Sequence, residues 1–279
     1  MRTNPASLLA CVVLACALGA CSKGQENAPQ QPAAGGTPAA AGPGAAAIRD
    51  ARLVTAGQLT VCSDIPYAPF EFSQGEKLTG FDVELVRAIA QQLGLKAEFK
   101  ATPFDTIIAS LAAGNCDLVA SATTITEERR QKVAFSAPYF DADQSLLIRV
   151  GEAGKYKALA DLKGRKIGVQ SGTTGETYAK AHKPEGATVK DFPGAEDLFN
   201  ALTSGDIDAV LQDFPVNKYR ALQAADKFAV TETFKTGEQY GFAMTKDNPR
   251  LVEAVDAALG GLRASGGYDT VYKAWFGDR

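Results

Sequence analysis

Charged and aromatic side chains are concentrated in four short segments of the sequence. These segments include one arginine of interest, Arg129, and two aspartates, Asp64 and Asp213. A guanidinium binds a carboxylate through two parallel hydrogen bonds, whereas a carboxylate accepts hydrogen bonds from an ammonium. Together these groups could bind a small molecule that carries both charges. The segments are SDIPYAPF (63–70), SATTITEERR (121–130), QSGTTGE (170–176) and LQDFP (211–215).

The segment around Arg129 predicts the end of a strand followed by the start of a helix. Thr126 is a suitable N-cap, and Glu127 and Glu128 fall in the first turn, where the helix dipole favours acids. Helical side chains lean toward the N-terminus, so Arg129 can reach the space in front of the helix, where unpaired N–H groups attract anions. Arg130 is expected to be solvated. The alternative is that Arg129 only pairs with a neighbouring glutamate.

Two further segments supply more polar groups. Gly172 lets the backbone approach a ligand closely, and Thr173 with Glu176 three residues later is a capping box. A second helix start is therefore expected to offer N–H groups to an anion, although capping boxes are common and the signal is weak on its own. Asp213 follows the strand-like AVLQ and is interpreted either as an acceptor for an ammonium or as an ordinary turn aspartate.

The first segment adds aromatic surface and another acid. Tyr67 lies between two prolines in a predicted loop, and Phe104 precedes the helical pattern DTIIASLAAG. These two rings are candidates for the walls of a cleft, whereas Phe70 or Phe72 is assigned to the core. With Asp64, the groups complement a free α-amino acid with a polar or cationic side chain, because a buried zwitterion needs both charges paired.

Short apolar runs alternate with helical patterns, which is typical of α/β folds. In FDVELVRAIAQQLG (81–94) the apolar residues fall on one helical face, and a glycine follows the end of the pattern. Ligands of open α/β sheets bind beyond the carboxyl ends of the strands, where all four segments lie. The predicted strands are LTVCSD (59–64), DLVASA (117–122) and KIGVQ (166–170), and TGETYAKA (174–181) opens a second helix.

An internal duplication predicts two similar lobes. The stretch FDTIIASLAAGNCDLV (104–119) aligns without a gap on AEDLFNALTSGDIDAV (195–210). Each copy has the pattern of a helix, a glycine at its end and an aspartate that opens a strand, and two copies are too few for a solenoid. The matched pairs are Ile107 with Leu198, Ile108 with Phe199, Leu111 with Leu202, Gly114 with Gly205, Asp117 with Asp208, and Val119 with Val210.

The N-terminal segment predicts export and lipid anchoring. Residues 1–20 hold an early arginine, an apolar run too short to span a bilayer and small residues at its end, as in a signal peptide. The sequence LGAC at 18–21 resembles the lipobox of bacterial lipoproteins, which implies cleavage before Cys21 and acylation of its thiol. The alternative is an ordinary signal peptide with a chance cysteine. Residues 21–47, rich in Ala, Gly and Pro, are expected to form a flexible tether.

The rest of the chain begins near Ile48 and has about 230 residues, enough for one large domain or two small ones. Over the whole chain, 29 Lys and Arg face 32 Asp and Glu, and this net charge of −3 argues against nucleic acid, whose binders need basic patches.

Cys62 and Cys116 are interpreted as buried thiols, with a disulfide as the alternative. Because His182 is the only histidine and no Cys/His cluster is present, neither a metal nor a cofactor is expected.

Eight motifs occur in order along the chain: PYAPFEF (66–72), LTGFDVELVRAIAQQLG (78–94), ITEERR (125–130), VAFSAPYF (133–140), ADLKGRKIGVQSGTT (160–174), DAVLQD (208–213), YGFAM (240–244) and YDTVYKAWFG (268–277). With these motifs, residues 59–277 resemble the family 3 extracellular solute-binding proteins of ABC importers. Among the polar amino acid members of that family, the sequence resembles the glutamine-binding and the lysine/arginine/ornithine-binding proteins.

The resemblance implies a role for each group that would meet the backbone end of an amino acid. Arg129 would bind the α-carboxylate, together with the backbone of Thr124 and Thr173. Asp213 would bind the α-ammonium, and the carbonyl of Ala122 would accept a further hydrogen bond from it.

The resemblance also implies how the side chain of the ligand would be held. Tyr67 and Phe104 would enclose it between their rings, and Asp64 would contact an amide or a cation at its end. Gln170 stands where the glutamine-binding protein has a lysine. Because a neutral Gln170 eases the entry of a cation, a basic amino acid is favoured slightly over glutamine.

The fold implied by the resemblance is a type II periplasmic-binding-protein fold, with two α/β lobes around a cleft. The expected lobes are residues 48–140 plus 240–279 and residues 141–239, joined by two hinge strands. A ligand would favour the closed form by binding it more tightly, and the membrane subunits of the importer would recognise closure. A monomer, anchored by lipid on the extracytoplasmic face of the cell membrane, is expected.

Two other classes of function remain as alternatives. An enzyme similar to the periplasmic cyclohexadienyl dehydratases could use the same scaffold, with Asp64 or Glu71 as a general acid. A sensor domain would need an attached transmembrane signalling module, and the sequence contains no such module. The binding protein is the favoured interpretation, and no enzymatic activity is expected.

Overall fold

A computed structural model describes residues 47–278 of the chain. The predictions of a signal peptide (1–20), a lipidated Cys21 and, apart from its last residue, a tether (21–47) lie outside these described residues. Within the part that is described, no helix is both long and apolar enough to cross a bilayer.

The described helices alternate with the strands, as the sequence predicts. The helix predicted over 81–94 is α1, and Gly94 ends it in a left-handed conformation with φ 72°. The helices are α1 (Phe81–Leu93), α2 (Phe104–Ala112), α3 (Glu127–Lys132), α4 (Thr174–His182), α5 (Ala195–Ser204), α6 (Phe214–Gln223), α7 (Pro249–Ala264) and α8 (Gly267–Phe276), with short 3₁₀ turns at Ala47–Asp50, Val150–Glu152 and Leu159–Leu162.

The strands form two five-stranded sheets and one small hairpin. The first sheet has the order β4-β1-β5-β12-β6, the second has the order β11-β7-β10-β8-β9, and β2 pairs with β3. The strands are β1 (Gln58–Ser63), β2 (Phe72–Gln74), β3 (Lys77–Thr79), β4 (Lys96–Ala101), β5 (Leu118–Val119), β6 (Ala134–Phe135), β7 (Phe140–Arg149), β8 (Lys166–Gln170), β9 (Thr188–Phe192), β10 (Ala209–Asp213), β11 (Phe228–Tyr240) and β12 (Ala243–Met244).

The chain passes between the two sheets at two places among the described strands. It leaves the first sheet between β6 and β7 and returns to it between β11 and β12. At these crossings β7 and β11 lie side by side and antiparallel, with Tyr240 opposite Phe140 and Glu238 opposite Ala142. Two neighbouring strands therefore connect the two α/β lobes.

The internal duplication is confirmed by the matching hydrogen bonds of its two aspartates. Asp117 and Asp208 each use one carboxylate oxygen to accept a backbone N–H from the neighbouring strand, that of Thr60 at 2.8 Å and that of Lys166 at 2.9 Å. The backbone N–H of each aspartate in turn donates to the carbonyl of the same partner, at 2.8 Å in both lobes. The aspartate therefore aligns the start of one strand with the next in each copy.

The two cysteines of the body form a disulfide, so the interpretation as buried thiols is wrong. Cys62 and Cys116 are joined with a Cα–Cα distance of 5.8 Å. The bond connects β1 to the turn that precedes β5, and both residues are buried beside Ile107 and Leu111 of α2. Strand-like surroundings alone did not reveal it, because residues 54 positions apart in sequence become neighbours only through the parallel pairing of β1 with β5.

The strand predicted over 117–122 is much shorter in the structure than expected. Only Leu118 and Val119 are assigned to β5, although the N–H of Ala120 still donates to the carbonyl of Cys62 at 3.1 Å. The chain then bends away at Ala122, whose φ of 40° makes it the one non-glycine residue with positive φ among the described residues. This bend places residues 121–124 at the carboxyl end of the first sheet.

Candidate ligand-binding cleft

Most of the predicted binding residues meet in one small cavity between the two lobes. Eight of the nine predicted residues line it. The ninth, Asp64, does not line the cavity, but its carboxylate accepts a hydrogen bond from Gln170, which does. Their role in binding stays a prediction. The lining residues are Tyr67, Phe104, Ser121, Ala122, Thr124, Arg129, Gln170, Thr173, Thr174 and Asp213.

Arg129 reaches in front of its helix, as predicted. The hydroxyl of Thr126 caps α3 by accepting the N–H of Arg129 at 3.1 Å. The guanidinium then donates to the carbonyls of Thr124 at 2.8 Å and Gly172 at 3.0 Å, and its carbon lies 5.2 Å from the centre of the Phe104 ring. It therefore contacts both lobes at once.

The alternative role of Arg129, pairing with a neighbouring glutamate, is wrong. Glu128 pairs instead with Lys132 one turn later, at 2.9 Å. Burial lowers the pKa of Arg129, while Asp213 and Glu238 act in the opposite direction. Arg130 is exposed, as expected, with its guanidinium over the Phe135 ring.

Asp213 is held by three donors at the end of β10. Its Oδ2 accepts the hydroxyls of Tyr67 at 3.0 Å and Tyr240 at 2.5 Å, and its Oδ1 accepts the amide of Gln144 at 2.5 Å. Burial, and then the negative charge of Glu238, raises the pKa of Asp213 to about 6, against the lowering effect of these hydrogen bonds. A carboxylate so buried gains strongly from a cation placed beside it.

Asp64 and Gln170 join the two lobes on another wall of the cleft. The amide of Gln170 donates to Oδ2 of Asp64 at 2.5 Å and to the carbonyl of Pro193 at 3.2 Å. Burial raises the pKa of Asp64 to about 6, although the bond from Gln170 lowers it and Asp105 adds a small increase.

The start of α4 is capped as predicted but offers fewer N–H groups than expected. The hydroxyl of Thr173 accepts the N–H of Glu176 at 3.1 Å. The carboxylate of Glu176, however, accepts the N–H of Gly172 at 2.6 Å rather than that of the N-cap residue. The N–H of Gly172 is thus already paired, because the long Glu176 side chain folds back over the turn.

The aromatic residues divide between cleft and core largely as predicted. Tyr67 and Phe104 line the cavity, and Phe70 is fully buried in the core. Phe72 is half-buried at the edge of the first lobe, where it packs against Tyr219 and Trp275.

Several residues of the cleft were missed by the sequence reasoning, above all Glu238. Its carboxylate accepts the hydroxyls of Thr124 at 2.9 Å and Thr174 at 2.7 Å. Glu238 belongs to the polar stretch FKTGEQY of β11, which has the alternation of an exposed edge strand. Only the crossing of the chain between the lobes brings it to the cleft, and no local pattern signals that. Gln144 of β7 and Tyr240 of β11 were missed for the same reason. Ser121 and Thr174 lie in segments that the sequence analysis did single out, but they were not named as site residues.

Comparison with known proteins agrees with this geometry. Residues 59–278 match the family model of the bacterial extracellular solute-binding proteins, family 3. The chain belongs to this family. Its two-lobed α/β fold and its assignment to the polar amino acid binding proteins are thereby confirmed.

Individual relatives of the family 3 protein bind different amino acids. It is 34% identical over 223 residues to the L-cystine-binding protein TcyJ of Escherichia coli (strain K12), covering 79% of this chain and 83% of the relative. An ancestral arginine-binding protein bound to arginine matches in structure with a TM-score of 0.75 at 40% identity, over 79% of this chain and 99% of the other.

A third relative bears on the enzyme alternative. It is an ancestral amino acid-binding protein described as a precursor of cyclohexadienyl dehydratase. It matches with a TM-score of 0.74 at 40% identity, over 79% of this chain and 96% of the other. The similarity is therefore to a binding protein, from which an enzyme later descended.

The raised pKa of Asp213 predicts a characteristic pH dependence of stability. Because the folded protein holds the proton of Asp213 more tightly than the unfolded chain, whose aspartates titrate near pH 4, the contribution of Asp213 to the free energy of unfolding falls as pH rises from about 4 to about 6. The measurement is urea unfolding at about pH 4.5 and about pH 7, on protein refolded to remove bound small molecules. From the lower to the higher pH, the free energy of unfolding of the wild type should fall relative to that of Asp213→Asn by on the order of 2 kcal/mol. The exposed Asp269→Asn serves as the control and should behave like the wild type. If the free energy of unfolding of Asp213→Asn depends on pH as that of the wild type does, the raised pKa of Asp213 is contradicted.

Proposed function

We propose that this family 3 protein is the substrate-binding lipoprotein of an ABC importer for a polar L-amino acid, and that its ligand is a basic one. The observation that carries this proposal is the pairing of opposite charges across the cavity. Arg129, which is partly buried, lies on one lobe and the buried Asp213 on the other, and both line the same cavity.

The cavity would bind the two charges of an amino acid separately. The guanidinium of Arg129 is the donor suited to the α-carboxylate, with the backbone of Thr124 and Thr173 beside it. Asp213 is the acceptor suited to the α-ammonium, and the carbonyl of Ala122 lies in the same wall. Both pairs are needed, because a charge buried without its partner costs several kcal/mol.

The far side of the cavity supports a cationic side chain. Asp64 is the acid directly behind that side, where it accepts a hydrogen bond from the neutral Gln170 of the cavity wall. Tyr67 and Phe104 supply rings between which an aliphatic or planar side chain would lie. Glutamine remains the second choice, because the Gln170 amide and Asp64 can also hydrogen-bond to a side-chain amide.

The arrangement of the strands supports closure as the means of signalling that a ligand is bound. Arg129 and Tyr67 of the first lobe bond directly to Gly172 and Asp213 of the second lobe. The lobes would separate at residues 140/141 and 239/240, where β7 and β11 cross between the sheets. A ligand that contacts both lobes binds the closed form more tightly, and the importer then recognises that form.

The anchor is part of the same proposal and rests on the N-terminal sequence. Cys21 would carry the lipid, and the tether would let the lobes reach the permease in the same membrane. When the full-length chain is produced in a bacterial host fed a radiolabelled fatty acid, the wild type should incorporate the label and Cys21→Ser should not. Cys11→Ser, within the predicted signal peptide, is the matched control and should be labelled like the wild type. Labelling of the Cys21→Ser protein would contradict lipidation at this residue.

The dehydratase alternative is supported less well by the cleft. Of its two candidate acids, Glu71 is fully buried behind Ser121, whose hydroxyl it accepts at 2.5 Å, and Glu71 does not line the cavity. Asp64 is left as the acid, and it is already bonded to Gln170. Loss of water from a cyclohexadienyl substrate on incubation with the protein would favour the enzyme.

A thermal unfolding screen against the common amino acids tests the proposed function. Ligand at a hundred times its Kd stabilises a protein by about 2.7 kcal/mol, which raises the Tm by roughly 5–10 °C for a domain of this size. The basic amino acids should give the largest increase. Arg129→Ala should abolish it while the protein still folds, because the α-carboxylate would then be buried without its partner.

Arg130→Ala is the matched control for this experiment. It removes the same charge from the next residue of the same helix, and its Tm should respond as in the wild type. No response to any amino acid would contradict the binding function, and a full response in Arg129→Ala would contradict the clamp.

A further inference from the structure

Glu238 lies behind the wall of the cavity, and the proposed function leaves it without a role. It lies on β11, at the crossing between the lobes. One of its oxygens, Oε2, accepts hydroxyls from Thr124 of the first lobe and Thr174 of the second, at 2.9 and 2.7 Å. Both threonines line the cavity. Glu238 is therefore a carboxylate directly behind the cavity wall.

The amide of Gln144 shows how close Glu238 lies to Asp213. Its nitrogen Nε2 is 2.5 Å from Oδ1 of Asp213 and 3.1 and 3.3 Å from the two oxygens of Glu238. It is also 3.3 Å from the hydroxyl of Thr174. One nitrogen is thus surrounded by four oxygens, from two carboxylates and one hydroxyl.

A side-chain amide suits this position poorly. It has two hydrogens for four acceptors and no net charge, whereas an ammonium has three hydrogens and a positive charge. The other end of the same amide, Oε1 of Gln144, is buried and has no hydrogen-bond partner among the described residues. The surroundings of this nitrogen are therefore those that an ammonium group would favour.

The charge balance of the cleft points the same way. None of the ion pairs among the described residues involves Asp64, Asp213 or Glu238. Among residues 47–278, Arg129 is the one cation that lines the cavity. The α-ammonium of a ligand would supply the cationic partner that Asp213 and Glu238 lack.

We infer that Glu238 and Asp213 together form the subsite for the α-ammonium of the ligand, with the amide of Gln144 giving way to that group. This inference rests on the proposed function. It assigns Glu238 a direct electrostatic contact with the ligand, which differs from a purely structural role in joining Thr124 to Thr174.

Calorimetric titration with L-arginine and with des-amino-arginine, which lacks only the α-amino group, separates these two roles. In the wild type L-arginine should bind more tightly. In Glu238→Gln, which keeps the shape and an acceptor for both threonines, the preference for L-arginine should shrink about tenfold, because only the ammonium-bearing ligand loses a charged partner. Glu238→Asp, which keeps the charge, should retain most of the preference.

Glu232→Gln is the matched control. It removes the same charge from the same strand, but Glu232 bonds to the N–H of Leu159 away from the cavity, so the preference should be unchanged. If Glu238→Gln weakens both ligands equally, Glu238 only joins the lobes and the inference is overturned. If the wild type binds L-arginine but Glu238→Gln binds both ligands as the wild type does, the inference alone fails. A wild type that binds no amino acid overturns the proposed function as well.

Discussion

Removal of Arg129 and Asp213 from water is the constraint on which the arrangement of the cleft depends. Burial lowers the pKa of the arginine and raises that of the aspartate, so each ionised group must be offset by its surroundings. The protein offsets them with dipoles: carbonyls for the guanidinium, and two hydroxyls and an amide for the carboxylate. Dipoles compensate a buried charge less completely than an opposite charge does. The two opposite charges of a zwitterion would therefore stabilise both groups further.

The duplicated architecture explains how two such groups come to face each other. Each lobe carries a helix, a glycine turn and an aspartate that aligns the next strand, and the carboxyl ends of both sheets meet at the cleft. Arg129 follows a strand of the first lobe and Asp213 ends a strand of the second. Under the proposed function, the separation of the two charges onto different lobes would make binding and closure one event, because neither lobe alone could pair both ends of the ligand.

Much of this could be read from the sequence, because the signals were local or repeated. Periodicity and a following glycine predicted α1, the repeat predicted the lobes, and the position of Arg129 at the start of a helix predicted where its side chain reaches. The disulfide between Cys62 and Cys116 and the place of Glu238 were not predictable in this way. Both depend on residues far apart in sequence, and a polar edge strand looks the same whether solvent or a cleft lies beside Glu238.

The central claim is that one buried guanidinium recognises the α-carboxylate of a free amino acid. Its most direct test is calorimetric titration of the wild-type protein with L-arginine and with agmatine, the same molecule without its carboxylate. If the claim holds, agmatine binds about a hundredfold or more weakly, because Arg129 would remain buried without a partner. Equal affinity for the two molecules would contradict it, and would show that the side chain of the ligand alone is recognised.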